Sequence, residues 1–174
     1  ADGYSRVNQE ELHSEQKEKW KEVLLEQLPK KEKDQVQILD IGTGPGFFAI
    51  LLAEEGYQVT AVDYTEQMLQ EAKSNAADLA DQISFKRMDA QNLEFPKETF
   101  DYIVTRNVTW NLEHPKRAYR EWQRVLKPGG KILNFDANWY AYLYDDKLKL
   151  GYEQDRQRAK EEQVEDYYEG TDIA

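Results

Sequence analysis

The sequence has no cysteine, so it can form neither disulfide bonds nor thiolate metal sites, and it offers no cysteine nucleophile. It also has no run of about 18 apolar residues to span a bilayer, and its first residues lack the apolar core of a signal peptide. Basic residues are outnumbered: 23 against 34 acidic residues give a net charge of −11. Such a chain repels a phosphate backbone, so we expect no nucleic-acid substrate. The missing apolar segments and cysteines lead us to expect a soluble cytoplasmic protein.

One stretch of the chain is typical of a ligand site. An apolar run over residues 36–41 leads into Gly42, Gly44 and Gly46, and a second apolar run starts at Phe47. This pattern predicts a buried strand, a glycine loop and a helix, which is how open α/β sheets build nucleotide-type sites. With 174 residues, 40% of them hydrophobic, the chain is long enough for one domain with a real core.

Strand and helix patterns alternate along the chain after an N-terminal arm, residues 1–8, that contains Tyr4. This alternation predicts parallel βαβ units and a Rossmann-like, doubly wound, mostly parallel sheet with helices on both faces. The predicted strands are residues 36–41, 58–63, 83–89, 100–106 and 131–136, and the predicted helices are residues 9–28, 47–55, 66–80 and 115–126.

Polar residues stand at the carboxyl ends of four predicted strands. Asp40, Asp63 and Asp89 end the first three strands, and Asn107 follows the fourth. Ligands of doubly wound sheets bind beyond the carboxyl ends of the strands, where the winding reverses. We therefore expect these four residues and the glycine loop to form one rim.

The acids on this rim favour a cationic ligand over a dinucleotide. A dinucleotide fingerprint requires a third glycine where this chain has Phe47, and Asp40 would repel a pyrophosphate. S-Adenosylmethionine has no phosphate and carries a sulfonium and an ammonium. Asp40 can hold the ammonium, Asp63 the ribose hydroxyls and Asp89 the adenine amino group through charge-assisted hydrogen bonds.

Five motifs also occur in the order and spacing of one family. They are Asp40-Ile41-Gly42-Thr43-Gly44-Pro45-Gly46, then Val62-Asp63-Tyr64 with Met68-Leu69, then Met88-Asp89-Ala90 leading to Leu93 and Phe95-Pro96, then Phe100-Asp101, and finally Val125-Leu126-Lys127-Pro128-Gly129-Gly130. From about Trp20 to Phe135 the chain resembles the class I S-adenosylmethionine-dependent methyltransferases, in the small-molecule branch similar to the ubiquinone and menaquinone biosynthesis methyltransferases.

The resemblance implies that the chain binds S-adenosylmethionine and releases S-adenosylhomocysteine. Tyr64 and Met68 would flank the adenine, the Ala90 backbone would help Asp89 to read its edge, and the Asn107 carbonyl would accept from the ammonium. The full set of expected donor-binding residues is Asp40, Gly42, Thr43, Gly44, Asp63, Tyr64, Met68, Asp89, Ala90 and Asn107.

The resemblance also implies a seven-stranded sheet of order 3-2-1-4-5-7-6, but the last two strands are not recognisable after Asp136. We expect residues 1–136 to form the donor-binding domain, with an N-terminal helical arm at residues 1–30. Residues 137–174 are expected to be a charged extension, either truncated or part of a substrate cap. An uncovered sheet edge is also a candidate interface for a homodimer.

Methyl transfer from a sulfonium requires mainly that the acceptor be held in line, so no particular catalytic residue is expected. We expect a small-molecule acceptor and no metal ion. The candidate wall of the acceptor pocket is Tyr4, Trp110, Asn111, Trp139 and Tyr140. Two other functions stay open: a non-catalytic module that binds S-adenosylmethionine or S-adenosylhomocysteine, and a nicotinamide-dependent oxidoreductase.

Overall fold

The structure is a computed structural model that describes residues 2–137 and 141–161. Side chains are described from Ser5 to Ala137 and from Ala141 to Arg158. The chain divides into two compact units, residues 1–136 and residues 137–174. Within the described ranges, no helix is both long enough and apolar enough to cross a membrane.

The first unit is built on one parallel sheet. Its strands, in chain order, are β1 (Ile38–Ile41), β2 (Val59–Asp63), β3 (Ile83–Arg87), β4 (Phe100–Arg106) and β5 (Leu126–Phe135). They lie in the order β3-β2-β1-β4-β5, and every pairing between neighbours is parallel. This confirms the predicted Rossmann-like fold class.

The helices of the first unit are α1 (Asp2–Leu12), α2 (Gln16–Gln27), α3 (Phe47–Glu54), α4 (Glu66–Ala76) and α5 (Pro115–Val125). The second unit contains α6 (Asp146–Glu161). Short 3₁₀ helices occupy Lys33–Gln35, Ala77–Gln82, Thr109–Asn111 and Ala141–Leu143.

Two hydrophobic cores lie on opposite faces of the sheet. On one face, α3 buries every residue from 47 to 53 together with Leu24 of α2 and Val104 of β4. On the other face, Trp122 of α5 packs with Ile41 and Ile103. Helices therefore cover both faces, because a parallel sheet has two apolar faces to bury.

The N-terminal region differs from its prediction. Residues 1–8 were expected to be irregular and residues 9–28 to form one helix, but the chain forms α1 and α2 with a break between them. At this break the Ser14 hydroxyl donates to the Glu11 carbonyl and accepts a hydrogen bond from the Gln16 N–H. A serine that bonds to its local backbone in this way competes with the helical hydrogen bonds, which accounts for the break.

The prediction for β5 was also too short. Lys127-Pro128-Gly129-Gly130 was expected to separate a helix from a strand over residues 131–136, but β5 already begins at Leu126, opposite Phe100. The register shifts between Phe100 and Tyr102, and Gly129 takes a φ of 78°. A glycine with positive φ is a usual component of such a bulge, so the turn residues are absorbed into the strand.

A buried carboxylate holds the amino-terminal end of the sheet together, far from the carboxyl-end rim. Asp101 of β4 accepts from Lys127 Nζ at 2.6 Å, from Lys31 Nζ at 2.7 Å and from the Gln37 N–H at 3.1 Å. Burial alone would raise the pKa of Asp101, but these hydrogen bonds outweigh it and lower that pKa to about 2.

We predict that Asp101→Asn lowers the free energy of unfolding by roughly 2 kcal/mol at pH 7, the equivalent of the depressed pKa. Because the folded-state pKa lies below the unfolded one, the stabilisation is present above about pH 4 and is lost as the pH falls towards 2. Urea unfolding at pH 7 and pH 3 measures this, and the difference from wild type should shrink at pH 3. Asp78→Asn, at an exposed acid, is the control; an equal loss there would contradict the assignment.

Candidate functional site

The glycine loop, residues 42–46, lies at the carboxyl end of β1 and is tied to neighbouring strands and to itself. The Thr43 N–H donates to the Val62 carbonyl of β2 at 3.0 Å, and the Gly46 N–H donates to the Thr43 carbonyl at 2.9 Å. Beyond β2, the Met88 N–H donates to the Asp63 carbonyl at 2.8 Å. The ends of β1, β2 and β3 are thus brought to one rim, as the sequence predicts.

The three loop glycines have different surroundings. At Gly42 an added Cβ would overlap a methyl group of Val108, and at Gly46 it would lie 3.1 Å from the Cβ of Ala72. At Gly44 an added Cβ would meet no atom within 4 Å, and the residue has a φ of 53°. Gly42 and Gly46 therefore allow close packing inside the protein, whereas Gly44 borders open space at the rim.

Asp40 is almost completely buried, with 2% of its surface exposed. Its Oδ2 accepts from the Thr43 hydroxyl at 2.7 Å and from the Ala49 N–H, in the first turn of α3, at 3.1 Å. Burial raises the pKa of this carboxyl to about 7, hydrogen bonds from Thr43 and Ala49 oppose the rise, and the charge of Asp63 adds to it. Asp40 thus joins the loop to the helix, a role that its residue type alone did not reveal.

Asp63, at the end of β2, also bonds to the loop. Its Oδ2 accepts from the Gly44 N–H at 2.9 Å, and its Oδ1 accepts from the N–H and the hydroxyl of Thr65 at 2.9 and 3.0 Å. Thr65 stands at the N-cap position of α4, but its hydroxyl donates to Asp63 and does not cap the helix. A carboxylate has about four acceptor positions, so Asp63 keeps capacity for a ligand hydroxyl.

The two residues expected to flank an adenine lie just beyond Asp63. The Tyr64 side chain is 69% exposed, and the Arg87 guanidinium lies 5.9 Å from the centre of its ring. Met68, on the first turns of α4, is half-buried. Their contact with adenine stays a prediction.

The segment after β3 is fixed by its own hydrogen bonds. Asp89 Oδ1 accepts from the Gln91 N–H at 2.8 Å, and the Ala90 carbonyl accepts from Trp122 Nε1 at 2.9 Å. The Ala90 carbonyl is thus already paired within the protein. Asp89 is half-buried, which leaves its carboxylate accessible from the rim.

The segment after β4 closes against the glycine loop. Asn107 has a positive φ of 56°, which is uncommon for a residue other than glycine, and its N–H donates to the Phe135 carbonyl at 2.8 Å. The Thr109 N–H and hydroxyl both bond to Asp136 Oδ2 just past β5. This segment places Val108 beside Gly42, and Asn107 directly follows the carboxyl end of β4.

The candidate acceptor residues are only partly described. Trp110 and Asn111 belong to the 3₁₀ helix after β4, where Trp110 is 38% exposed and Asn111 is exposed. Tyr4 lies in α1, but its side chain is not among those described. Trp139 and Tyr140 fall outside the described residues. The grouping of these five residues into one wall therefore stays a prediction.

Sequence reasoning missed an ion pair between α1 and the end of β4. Arg106 donates to both carboxylate oxygens of Glu11, at 2.8 and 2.9 Å, and its guanidinium lies 4.9 Å from the Trp20 ring and 5.0 Å from the Phe47 ring. A bidentate pair that also stacks on aromatic rings is among the stronger surface interactions. The sequence signal was an arginine at the carboxyl end of a predicted strand.

Comparison with known proteins identifies the family. Residues 39–134 match the family described as the methyltransferase domain, so the chain belongs to this family. It carries an S-adenosylmethionine-dependent methyltransferase domain, and the resemblance seen in the sequence is confirmed.

Named relatives are similar over part of their length. The chain is 31% identical to a ubiquinone biosynthesis O-methyltransferase of Coxiella burnetii, over 62% of this chain and 47% of that protein. It is 31% identical to a ubiquinone/menaquinone biosynthesis C-methyltransferase of Rickettsia massiliae, over 78% of this chain and 54% of that protein. The chain thus spans about half the length of these curated relatives.

Among solved structures, a candidate S-adenosylmethionine-dependent methyltransferase of Methanococcus maripaludis is similar, with a TM-score of 0.65 and 27% identity. The match covers 75% of this chain and 61% of that one.

The raised pKa of Asp40 gives a prediction of stability against pH. A carboxyl whose folded-state pKa exceeds its unfolded one costs stability as the pH rises from about 4 to 7. Asp40→Asn keeps an acceptor oxygen for Thr43 and Ala49 and removes the charge. We therefore expect the variant to gain stability over wild type at pH 8, by up to about 4 kcal/mol for a shift of roughly three units, and to lose most of that gain at pH 5.

Thermal unfolding at the two pH values measures this difference. Asp81→Asn, at an exposed acid of a 3₁₀ helix, is the control and should show no such dependence. A constant difference between Asp40→Asn and wild type from pH 5 to pH 8 would contradict the raised pKa.

Proposed function

We propose that the chain binds S-adenosylmethionine on the glycine loop and transfers its methyl group to a small-molecule acceptor. The observation that carries the proposal is the open space at Gly44, bordered by Asp63 and lying among the acidic ends of three adjacent strands. Carboxylates in that arrangement suit a ligand with an ammonium, a sulfonium and a ribose diol, and they oppose a pyrophosphate.

The proposed donor contacts follow the strand order. Asp63 accepts from the ribose hydroxyls, since it lies at the end of β2 and borders Gly44. At the end of β3, Asp89 and the Ala90 N–H form hydrogen bonds with the edge of the adenine. The adenine itself lies between Tyr64 and Met68. The methionine end then lies towards β4, over Gly42, Thr43 and Gly44, where the Asn107 carbonyl accepts from the ammonium. Asp40 is buried beneath these residues, and a bound cation would favour its ionised form.

When bound, the donor supplies a methyl group that is reactive because its sulfur is positively charged. The chain's own contribution is then to fix the donor on the loop, to hold the acceptor in line and to exclude water, and orientation of this kind can supply much of the rate. A general base is needed only where the accepting atom arrives protonated. No catalytic base is therefore assigned.

The acceptor is proposed to enter over the ends of β4 and β5, where Trp110 and Asn111 lie. Tyr4, Trp139 and Tyr140 complete the proposed wall, which suits a planar, apolar or cationic small molecule. The two curated relatives described above are named as an O- and a C-methyltransferase, so likeness to them does not assign the accepting atom here.

The same proposal assigns residues 1–136 to donor binding and residues 137–174 to a substrate cap. It also includes a homodimer formed through the edge of the sheet at β5, because β5 pairs with β4 and with no other strand among the described residues. Sedimentation of the chain over a range of concentrations would reveal such a dimer.

Calorimetric titration of the full chain with S-adenosylmethionine, S-adenosylhomocysteine and NAD separates the candidate functions. We expect heat with the first two ligands and none with NAD. Methyl transfer to a metabolite pool then distinguishes an enzyme from a module that only binds. Absence of binding to either adenosyl ligand would overturn the proposal.

Gly44→Ala tests the open space directly. The structure has room for the added methyl group, so the variant should lose only the roughly 1–2 kcal/mol that a positive φ costs a residue with a Cβ. The methyl group would occupy the ligand's position, so donor affinity should fall at least tenfold by calorimetry.

Gly129→Ala is a matched control for this variant. Gly129 also has a positive φ, 78°, and open space at its Cβ position, but it lies in β5 opposite the start of β4. We expect a similar loss of stability with unchanged donor affinity. Equal affinities for the two variants would show that the ligand does not contact Gly44.

We also predict that Asp63→Ala weakens donor affinity by at least tenfold, because a charge-assisted hydrogen bond is worth about 1.5–3 kcal/mol. Thr65→Val is the control: it removes one hydrogen bond to Asp63 and leaves the carboxylate in place. It should change affinity less than threefold. Unchanged affinity in Asp63→Ala would show that the ribose assignment is wrong.

A further inference from the structure

We infer that Asn8 of α1 is a ligand of the methyl donor, and that its side-chain oxygen accepts a hydrogen bond from the ammonium at the methionine end. The inference rests on the proposed function, and it adds a contact from an N-terminal helix that lies outside the motifs of the loop and strands.

Asn8 is on the face of α1 that packs against the protein. Ser5, Asn8 and Leu12 are spaced three and four residues apart, which places them on one side of a helix, and all three are buried. The neighbouring Gln9 is exposed. The Asn8 side chain therefore faces inward.

Two residues close to Asn8 attach α1 to α4, and α4 in turn contacts the glycine loop. The Ser5 hydroxyl donates to Glu71 Oε2 at 2.8 Å, and Gln9 Nε2 donates to Asn75 Oδ1 at 2.9 Å. Asn75 Nδ2 in turn donates to the Pro45 carbonyl of the loop at 3.0 Å. One side of Asn8 is thus held near residue 45.

The C-terminal part of α1 is held at the other side of the loop. Glu11 forms the bidentate pair with Arg106, whose guanidinium lies over the Phe47 ring at the start of α3. Asn8 lies between these two attachments along α1, and they lead to Pro45 on one side and to Phe47 on the other. Arg106 ends β4, so the Phe47 side is the one towards which the methionine end of the donor is proposed to lie.

The side-chain oxygen of Asn8 needs a donor that the protein does not supply. The residue is 6% exposed, and its Oδ1 has no hydrogen-bond partner among the described residues. Buried amide oxygens are nearly always paired, so an unpaired one beside a ligand loop indicates a partner from the ligand. An ammonium donates hydrogen bonds and a carboxylate cannot, which selects the ammonium of the amino-acid end.

The test compares three ligands by calorimetry on the full chain. S-Adenosylhomocysteine has the ammonium and the carboxylate, S-adenosyl-3-thiopropylamine has only the ammonium, and 5′-methylthioadenosine has neither. We expect Asn8→Ala to weaken the first two by about tenfold and to change the third less than twofold. A purely structural role for Asn8 would move all three alike.

Two further variants serve as controls. Gln9→Ala removes an exposed contact between α1 and α4 and keeps Asn8, so it should change all three affinities less than twofold. Asn8→Asp keeps an acceptor oxygen and adds negative charge, so binding of S-adenosyl-3-thiopropylamine should stay within threefold of wild type or tighten.

Each alternative outcome is distinguishable. An equal loss for all three ligands in Asn8→Ala, or an equal loss in Gln9→Ala, would overturn the inference in favour of helix docking. Unchanged binding in Asn8→Ala would overturn it in favour of a buried water at Oδ1. If wild type binds none of the three ligands, the proposed function itself fails.

Discussion

The glycine loop depends on hydrogen bonds from two aspartates that stand at the ends of adjacent strands. Asp40 accepts from Thr43 and from the first turn of α3, and Asp63 accepts from the Gly44 N–H. These bonds satisfy backbone and hydroxyl groups that a tight loop would otherwise leave unpaired. The loop is therefore shaped by the protein's own carboxylates, and Asp63, the less buried of the two, lies at the rim.

This arrangement places a stability cost at the site. Burial raises the pKa of Asp40 to about 7, so near neutral pH the folded protein retains an acid that is expensive to ionise. Asp101, at the opposite end of the sheet, shows the contrasting case, because two lysines and a backbone N–H lower its pKa to about 2. The ionised form of Asp101 thus stabilises the amino end of the sheet. Ionisation of Asp40 costs stability at the other end, where the cationic donor is proposed to bind.

The site is assembled from parts of the chain that are far apart in sequence. Ser5 bonds to Glu71 across 66 positions, and Arg106 bonds to Glu11 across 95. These contacts attach α1 to α4 on one side and to the end of β4 on the other. Our inference for Asn8 makes this helix a further part of the proposed donor site, beside the glycine loop and the strand ends.

Local patterns in the sequence determined the five strands, their parallel direction, the loop at residues 42–46 and the acids at the strand ends, because alternation and glycine spacing are properties of neighbouring residues. The order of the strands was implied by the resemblance to the family. The break at Ser14 and the start of β5 at Leu126 were missed, since serine bonding and a bulge override helix and turn preferences. Only the tertiary structure decided that Asp40 is buried, that Gly42 packs on Val108 while Gly44 is open, and that Glu11 meets Arg106. Those facts depend on which distant segments the folded chain brings into contact, and no local pattern encodes that.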